Sequence, residues 1–98
     1  RLHADEFSNS GAAILASEID AFSADHLMAV SKDDITKLSN SKVVATLLPG
    51  TTFFLGKKTY APARDILDEG ITVALATDYT PRGSISICNI QWSCCSWY

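Results

Sequence analysis

The strongest constraint on the fold of this chain is a regular alternation between short apolar segments and amphipathic segments. Four apolar segments recur along the sequence, at residues 2–7, 21–27, 42–48 and 71–77. The last two are rich in Val, Ile and Leu, which is typical of strands that are buried on both faces, as in parallel sheets. The pattern therefore predicts four strands.

The segments between these strands carry helical patterns. Within residues 11–20, apolar residues recur at the spacing of one helix face, at Ala12, Leu15, Ala16 and Ile19. Ser31 and Asp34 resemble a capping box before a second helix, and Gly70 is placed to end a third helix over residues 60–69. The predicted order is β-α-β-α-β-α-β.

This order predicts an α/β fold with a parallel sheet, because strands that alternate with helices pair in parallel through right-handed crossovers. Two architectures stay open, an open α/β sheet or part of a (β/α) barrel. A complete barrel has eight such units in about 250 residues. The four units of this chain would make half a barrel, and residues 1–91 would form that partial domain.

Charge and hydropathy exclude two classes of partner. Lys and Arg number 8 against 11 Asp and Glu, which gives a formal net charge of −3. Because the sequence is acidic and has no basic run, we expect no nucleic-acid partner. The longest uncharged stretch, residues 43–56, is shorter than the roughly 20 residues of a membrane helix and is interrupted by Pro49 and Gly50, so we expect no membrane partner.

The cysteines favour a reducing compartment. Cys88, Cys94 and Cys95 lie close together and cannot form a disulfide framework for the residues before them, and their spacing matches no zinc motif. The sequence begins at Arg1 without a charged-then-apolar leader, so we expect neither a secretory signal nor a transit peptide. We therefore expect a cytoplasmic location.

Polar side chains collect where the predicted strands end, which is where both candidate folds bind their ligands. The residues at these positions are His3, Asp5, Glu6, Asp25, His26, Thr51 and Asp78. A His and an Asp from separate strands can ligate a divalent metal. A nearby carboxylate such as Glu6 can then take a proton from water.

A structural interpretation of the same residues stays open, and spacing alone favours it. His3 and His26 would be hydrogen-bonded core groups. Asp25 and Asp78 would cap the helices that follow them, and Glu6 would be solvated.

The lysine pair at Lys57 and Lys58 is predicted to lie exposed in a loop. No Gly-rich loop opens a helix beside it, which argues against a phosphate site. We assign the pair no function from sequence.

Five short blocks match a known enzyme family in order and spacing. They are HADEF at 3–7, SADHL at 23–27, LLPGT at 47–51, YAPAR at 60–64 and ALATDY at 74–79. Together they resemble the imidazolonepropionase family of the amidohydrolase superfamily, from residue 1 to about residue 84. The first two blocks make the resemblance specific, because the pair is much rarer than a single His at a strand end.

The resemblance implies strands five to eight of a (β/α)8 TIM barrel and a metal-dependent hydrolase. Such an enzyme opens the ring of 4-imidazolone-5-propanoate by C–N cleavage and gives N-formimino-L-glutamate in histidine degradation. The implied cofactor is one zinc or iron ion, the implied partner is this small-molecule substrate, and a homodimer is compatible with the family.

The same resemblance implies roles for individual residues. His3 and Asp78 match metal ligands, and Asp78 also matches a catalytic group. Glu6 matches the catalytic group that handles protons and contacts substrate, and His26 matches a residue that polarises or orients the substrate.

The loop after the last strand departs from the family pattern. The family continues with an aromatic residue, Asn, Pro, Gly and Ser, whereas Thr80 stands here in place of the Asn and Arg82 is an additional residue. The implied substrate contacts are then Thr80, Gly83 and Ser84. Residues 92–98 lose the family pattern and form a divergent tail.

The H-x-H metal pair of the family is not in this sequence. We therefore expect a fragment that is inactive in isolation. Two other functions stay open. The chain could be a non-catalytic α/β module, or it could be part of another cyclic-amide hydrolase or deaminase of the superfamily.

Overall fold

The computed structural model of the chain describes residues 1–78, which form a small α/β fold with one four-stranded parallel sheet. The elements, in chain order, are β1 Leu2–Ala4, α1 Ala12–Glu18, β2 Ser23–His26, α2 Lys32–Leu38, β3 Val44–Leu47, α3 Pro49–Phe54, α4 Ala63–Asp68 and β4 Val73–Leu75. The strands lie in the sheet in their chain order, β1-β2-β3-β4.

The four predicted strands and the three predicted helices are all present, each shorter than its sequence pattern. The predicted order lacks α3, because Thr51 is assigned there only to the end of the third predicted strand. Pro49 in fact stands in the first turn of α3, where its missing N–H costs no hydrogen bond. Proline directly after a strand was the available signal for this helix.

The two faces of the sheet differ in chemistry because neighbouring strands are aligned in register. One row across the strands consists of Leu2, Ala24, Ala45 and Val73. The two alanines of this row are completely buried in the core, whose largest buried side chains include Leu27, Ile35, Leu38 and Ile66. The adjacent row consists of His3, Asp25, Thr46 and Ala74 and lies on the opposite face.

Local capping confirms two predicted helix boundaries. The Asp34 backbone N–H donates to Ser31 Oγ over 3.2 Å at the start of α2. Gly70, with φ 77°, follows the end of α4 as predicted.

The Asp34 carboxylate accepts a hydrogen bond of 2.7 Å from Asn9 Nδ2. This bond is the main reason that the pKa of Asp34 lies below its usual value.

Within residues 1–78, no helix combines the length and the apolar character needed to cross a bilayer. The predicted substrate contacts at Thr80, Gly83 and Ser84, the cysteines and the tail at 92–98 lie outside the described residues, as does the end of the predicted domain at residue 91.

Candidate functional site

Three predicted site residues converge at the carboxyl edge of the sheet. His3 Nδ1 lies 2.8 Å from His26 Nε2, and the two rings stack with centroids 5.1 Å apart and an interplanar angle of 30°. Glu6 Oε2 lies 3.7 Å from the same Nε2 atom. Donor atoms of the three side chains all lie within 4.8 Å of one another. We call these three residues the His-Glu-His cluster.

An unusual backbone turn at the end of β2 brings His26 into this cluster. In the register of the sheet His26 is paired with Ala4, so regular alternation would place its side chain on the core face, opposite to His3. His26 and Leu27 instead have φ values of 77° and 56°, in the left-handed region. The turn is held by a 2.9 Å hydrogen bond from the Leu27 N–H to the Ala4 carbonyl, and the His26 imidazole reaches His3.

Burial keeps the His26 imidazole uncharged. Loss of hydration lowers the pKa of His26 below its ordinary value, although the carboxylates of Glu6 and Asp78 act in the opposite direction. His26 Nδ1 is buried and has no hydrogen-bond partner among the described residues. A buried donor or acceptor without a partner is rare in folded proteins, and a catalytic role, a water molecule or an ion can account for one.

Asp78 lies at the same edge but outside the cluster. Thr51, in the first turn of α3, donates a hydrogen bond of 3.2 Å from Oγ1 to Asp78 Oδ2. Asp78 is partly buried and has φ 51°. Its carboxylate is close enough to raise the pKa of His26, so its negative charge acts on the cluster.

Asp5, beside the cluster, has a structural role that its sequence position did not indicate. Its carboxylate accepts hydrogen bonds from Ser10 N and Ser10 Oγ, at 2.8 and 2.9 Å, and from the N–H groups of Ala12 and Ala13, at 3.3 and 3.2 Å. Asp5 therefore caps α1 from outside the helix. No local motif reveals a cap that is seven residues from the helix it serves.

The structural interpretation of the other candidates is only partly correct. His3 is exposed, so it is not a core group, whereas His26 is buried. Asp25 does not cap α2. It accepts a hydrogen bond of 2.8 Å from Ser23 Oγ and lies 3.5 Å from the Arg1 guanidinium, while Ser31 caps that helix.

A cleft of about 320 Å³ opens beside Glu6. Its walls include Phe7, Met28 and the lysine pair, Lys57 and Lys58. The lysines are exposed, as predicted, but Lys57 Nζ also lies 5.8 Å from the centroid of the Phe7 ring. Sequence reasoning missed this cleft because its walls come from three separate loops.

The donor set of the cluster suits a transition-metal ion. Imidazole nitrogens and carboxylate oxygens are the ligands that zinc and iron take in proteins. The close approach of two imidazoles and one carboxylate is compatible with such an ion.

Comparison with known proteins gives one consistent result. No family model matches the chain. The chain is 54% identical over 84 residues, 86% of its length, to a protein named imidazolonepropionase from Bacillus velezensis. It is also 54% identical over 91 residues, 93% of its length, to proteins of the same name from Bacillus thuringiensis and Bacillus cytotoxicus. The chain spans only about a fifth of these relatives, 20% of the first and 21% of the other two.

Proposed function

Since this chain is related by sequence to one segment of the imidazolonepropionase family, we propose that it is part of a metal-dependent hydrolase that opens the ring of 4-imidazolone-5-propanoate. The product is N-formimino-L-glutamate. The relatives carry the name of this enzyme, and the chain spans about a fifth of their length.

One observation carries the proposal, the convergence of the His-Glu-His cluster. His3 and His26 are 23 positions apart in sequence, and their ring nitrogens are 2.8 Å apart in the fold. All three members of the cluster stand in the two sequence blocks that match the family best, HADEF and SADHL. A chance arrangement of polar residues would not be expected to bring these three side chains together at a strand edge.

The fold is compatible with strands five to eight of a (β/α)8 barrel. Doubly wound open sheets reverse their strand order at a switch point, whereas a barrel keeps the chain order throughout. The order β1-β2-β3-β4 has no reversal. The row that contains His3, Asp25 and Thr46 would then face the barrel interior, with the helices outside.

We propose His3 and Asp78 as ligands of one zinc or iron ion; in support, the charge of Asp78 acts on His26, which contacts His3. When bound, the ion supplies Lewis acidity, which polarises a carbonyl group and makes water more acidic. Thr51 holds the Asp78 carboxylate through its hydroxyl group.

The remaining members of the cluster move protons and orient the substrate in this proposal. The Glu6 carboxylate accepts a proton from the attacking water and delivers it to the leaving nitrogen, with Asp78 as a second acceptor. The His26 imidazole is neutral because burial lowers its pKa, so it can donate a hydrogen bond to the substrate carbonyl without adding charge.

The other parts of the proposal concern the whole enzyme. Thr80, Gly83 and Ser84 contact the substrate from the loop after β4, and the complete protein acts in the cytoplasm as a monomer or homodimer. In isolation, the 98-residue chain binds metal only weakly and does not catalyse ring opening.

Metal analysis of the purified chain tests the proposal. We expect weak but saturable binding of zinc or iron when the chain is titrated with the ion, with loss of most of that binding in His3→Ala and in Asp78→Ala. Asp25→Ala is the matched control, because Asp25 neighbours His3 in the sheet register and lies outside the cluster. A wild-type chain that binds no metal in this titration would contradict the assignment.

A further inference from the structure

The beginning of α3 carries two adjacent buried threonines whose hydroxyl groups bind different partners. Thr51 is 8% exposed and Thr52 is 2% exposed. Thr51 Oγ1 donates to Asp78 Oδ2 over 3.2 Å, whereas Thr52 Oγ1 donates to Met28 Sδ over 2.8 Å. The two threonines share one helix, similar burial and the same chemistry, but only Thr51 contacts a proposed metal ligand.

Asp78 stands beyond the hydrogen bonds that tie β4 to β3. Within residues 1–78, the last of these bonds runs from the Ala76 N–H to the Leu47 carbonyl over 3.1 Å. Asp78 follows two positions later, with a left-handed backbone at φ 51°. A short carboxylate side chain at the end of a strand has several accessible rotamers unless a partner selects one of them. The Thr51 hydroxyl group is such a partner.

Thr51 can select a rotamer of Asp78 because its own position is fixed. Its N–H donates to the Leu48 carbonyl over 3.0 Å, and its carbonyl accepts from the Leu55 N–H over 2.9 Å. Its β-branched side chain has few χ1 rotamers in a helix. A helical threonine hydroxyl often donates to a carbonyl of the preceding turn, as Thr52 also does to Leu48 over 3.5 Å. The Thr51 hydroxyl instead donates outside the helix.

We propose that Thr51 is a positioning residue, which selects the side-chain rotamer of Asp78 and the carboxylate oxygen that binds the ion. The Thr51 hydroxyl group holds Oδ2, so Oδ1 is the oxygen left to ligate the metal. Hydrogen bonds to ligating carboxylates orient them in this way in other metal sites. The inference rests on the proposed function only in that Asp78 must be a ligand there.

NMR of the metal-free chain tests the positioning by itself. Three-bond couplings from the side-chain carboxyl carbon of Asp78 to its backbone nitrogen and carbonyl carbon measure the χ1 rotamer. We expect a single rotamer in the wild type and in Thr51→Ser, which retains the hydroxyl group. Thr51→Val retains the shape and loses the hydroxyl group, so its couplings should be averaged over several rotamers. Thr52→Val is the matched control and should retain the wild-type couplings.

Titration with zinc, in competition with a chromogenic chelator, tests whether the rotamer matters for binding. Thr51→Val should bind zinc about tenfold more weakly than the wild type, the lower end of the effect expected when a partner of a metal ligand is lost. Thr51→Ser and Thr52→Val should both retain the wild-type affinity. Rescue by serine separates loss of the hydrogen bond from a general disturbance of α3.

The two measurements separate this inference from the proposed function. Averaged couplings in the wild type, or a single Asp78 rotamer in Thr51→Val, would overturn the positioning role even if the chain binds zinc. Unchanged zinc affinity in Thr51→Val, or an equal loss in Thr52→Val, would also overturn it. A wild-type chain that binds no zinc would contradict the metal assignment, and the couplings would still decide whether Thr51 positions Asp78.

Discussion

Four residues at the carboxyl edge of the sheet have left-handed backbone conformations, which residues with a Cβ atom rarely adopt. Asp5, His26, Leu27 and Asp78 have φ values of 48°, 77°, 56° and 51°. Each such conformation costs on the order of 1–3 kcal/mol and persists only where the surrounding contacts impose it. The strain is concentrated where the candidate ligands lie, which is the distribution expected of a functional site.

Asp5 and its neighbour Glu6 should differ in how much they contribute to stability, because only Asp5 caps a helix. Asp5→Ala removes the carboxylate that caps α1 and should lower the free energy of unfolding by about 2 kcal/mol. Glu6→Ala removes only a partly exposed carboxylate, so we expect the free energy of unfolding to change by less than about 0.5 kcal/mol. Urea unfolding followed by circular dichroism, with Asp5→Asn as the conservative control, measures the difference. Equal destabilisation by the two alanine variants would contradict this division.

The buried His26 imidazole should make the stability of the metal-free chain depend on pH. Its folded-state pKa is lower than the ordinary value of about 6.5, so the unfolded chain binds more protons as pH falls below that value. The free energy of unfolding should therefore be largest near neutral pH and fall as pH decreases from about 6.5 toward the lowered pKa.

Urea unfolding between about pH 7.5 and pH 5, in the presence of a chelator, measures this dependence. His26→Gln cannot titrate in that range and should show a flatter profile. A profile of the same slope in both proteins would assign the dependence to other groups.

At the scale of elements, α1, α3 and α4 are each followed by a residue with a left-handed backbone, and the N–H after that residue donates to a carbonyl of the helix. The left-handed residue differs between the helices. After α1 the Ala21 N–H donates to the Ala16 carbonyl over 2.9 Å, and Asp20 has φ 51°. After α3 and α4 the corresponding positions are Gly56, with φ 65°, and Gly70, with φ 77°. Glycine has no steric penalty in this conformation, so α1 has the least favourable of the three ends.

Exchange of residues at these ends should change stability in opposite directions. Asp20→Gly should raise the free energy of unfolding by about 1 kcal/mol because it removes the left-handed strain. Gly70→Ala should lower it by a similar amount, and by strain alone, since a Cβ atom at Gly70 would meet no atom within 4 Å. Thermal unfolding of both variants beside the wild type tests the pair. A destabilised Asp20→Gly would show that the Asp20 side chain contributes more than its backbone costs.

At the scale of the whole molecule, the sheet within residues 1–78 is open at both sides. β1 pairs only with β2, and β4 pairs only with β3, in the part of the chain that the structure describes. Unpaired strand edges expose N–H and C=O groups that can pair with another chain. Large apolar side chains are also exposed, among them Phe22 at 80% and Leu75 at 36%. Both features favour self-association of the chain.

We expect the purified chain to self-associate increasingly as its concentration rises. A charged side chain on the edge strand should reduce this self-association. Leu75→Lys places a lysine on β4, which is a common way in which natural proteins protect sheet edges. Leu67→Lys is the matched control, because Leu67 is 50% exposed on α4 and away from the edge. Sedimentation velocity over a range of concentrations measures the effect. Equal association of the two variants would indicate that apolar patches, not strand edges, drive it.

The sequence by itself determined the type and order of the strands and helices, apart from α3, and the edge of the sheet where the polar residues lie. Apolar periodicity, the Ser31 cap and the Gly70 stop are local signals, and each acts within one or two turns of chain. The same local character explains why α3 was missed, since its only signal was Pro49.

Only the tertiary structure decided which polar residues meet. The contact between His3 and His26 depends on strand register and on the left-handed turn at His26 and Leu27, and neither follows from residue spacing. The cap that Asp5 provides and the approach of Lys57 to Phe7 likewise join loops that are distant along the chain or irregular in backbone. Side-chain periodicity specifies which face of an element is apolar, whereas the geometry of a site depends on how several elements pack together.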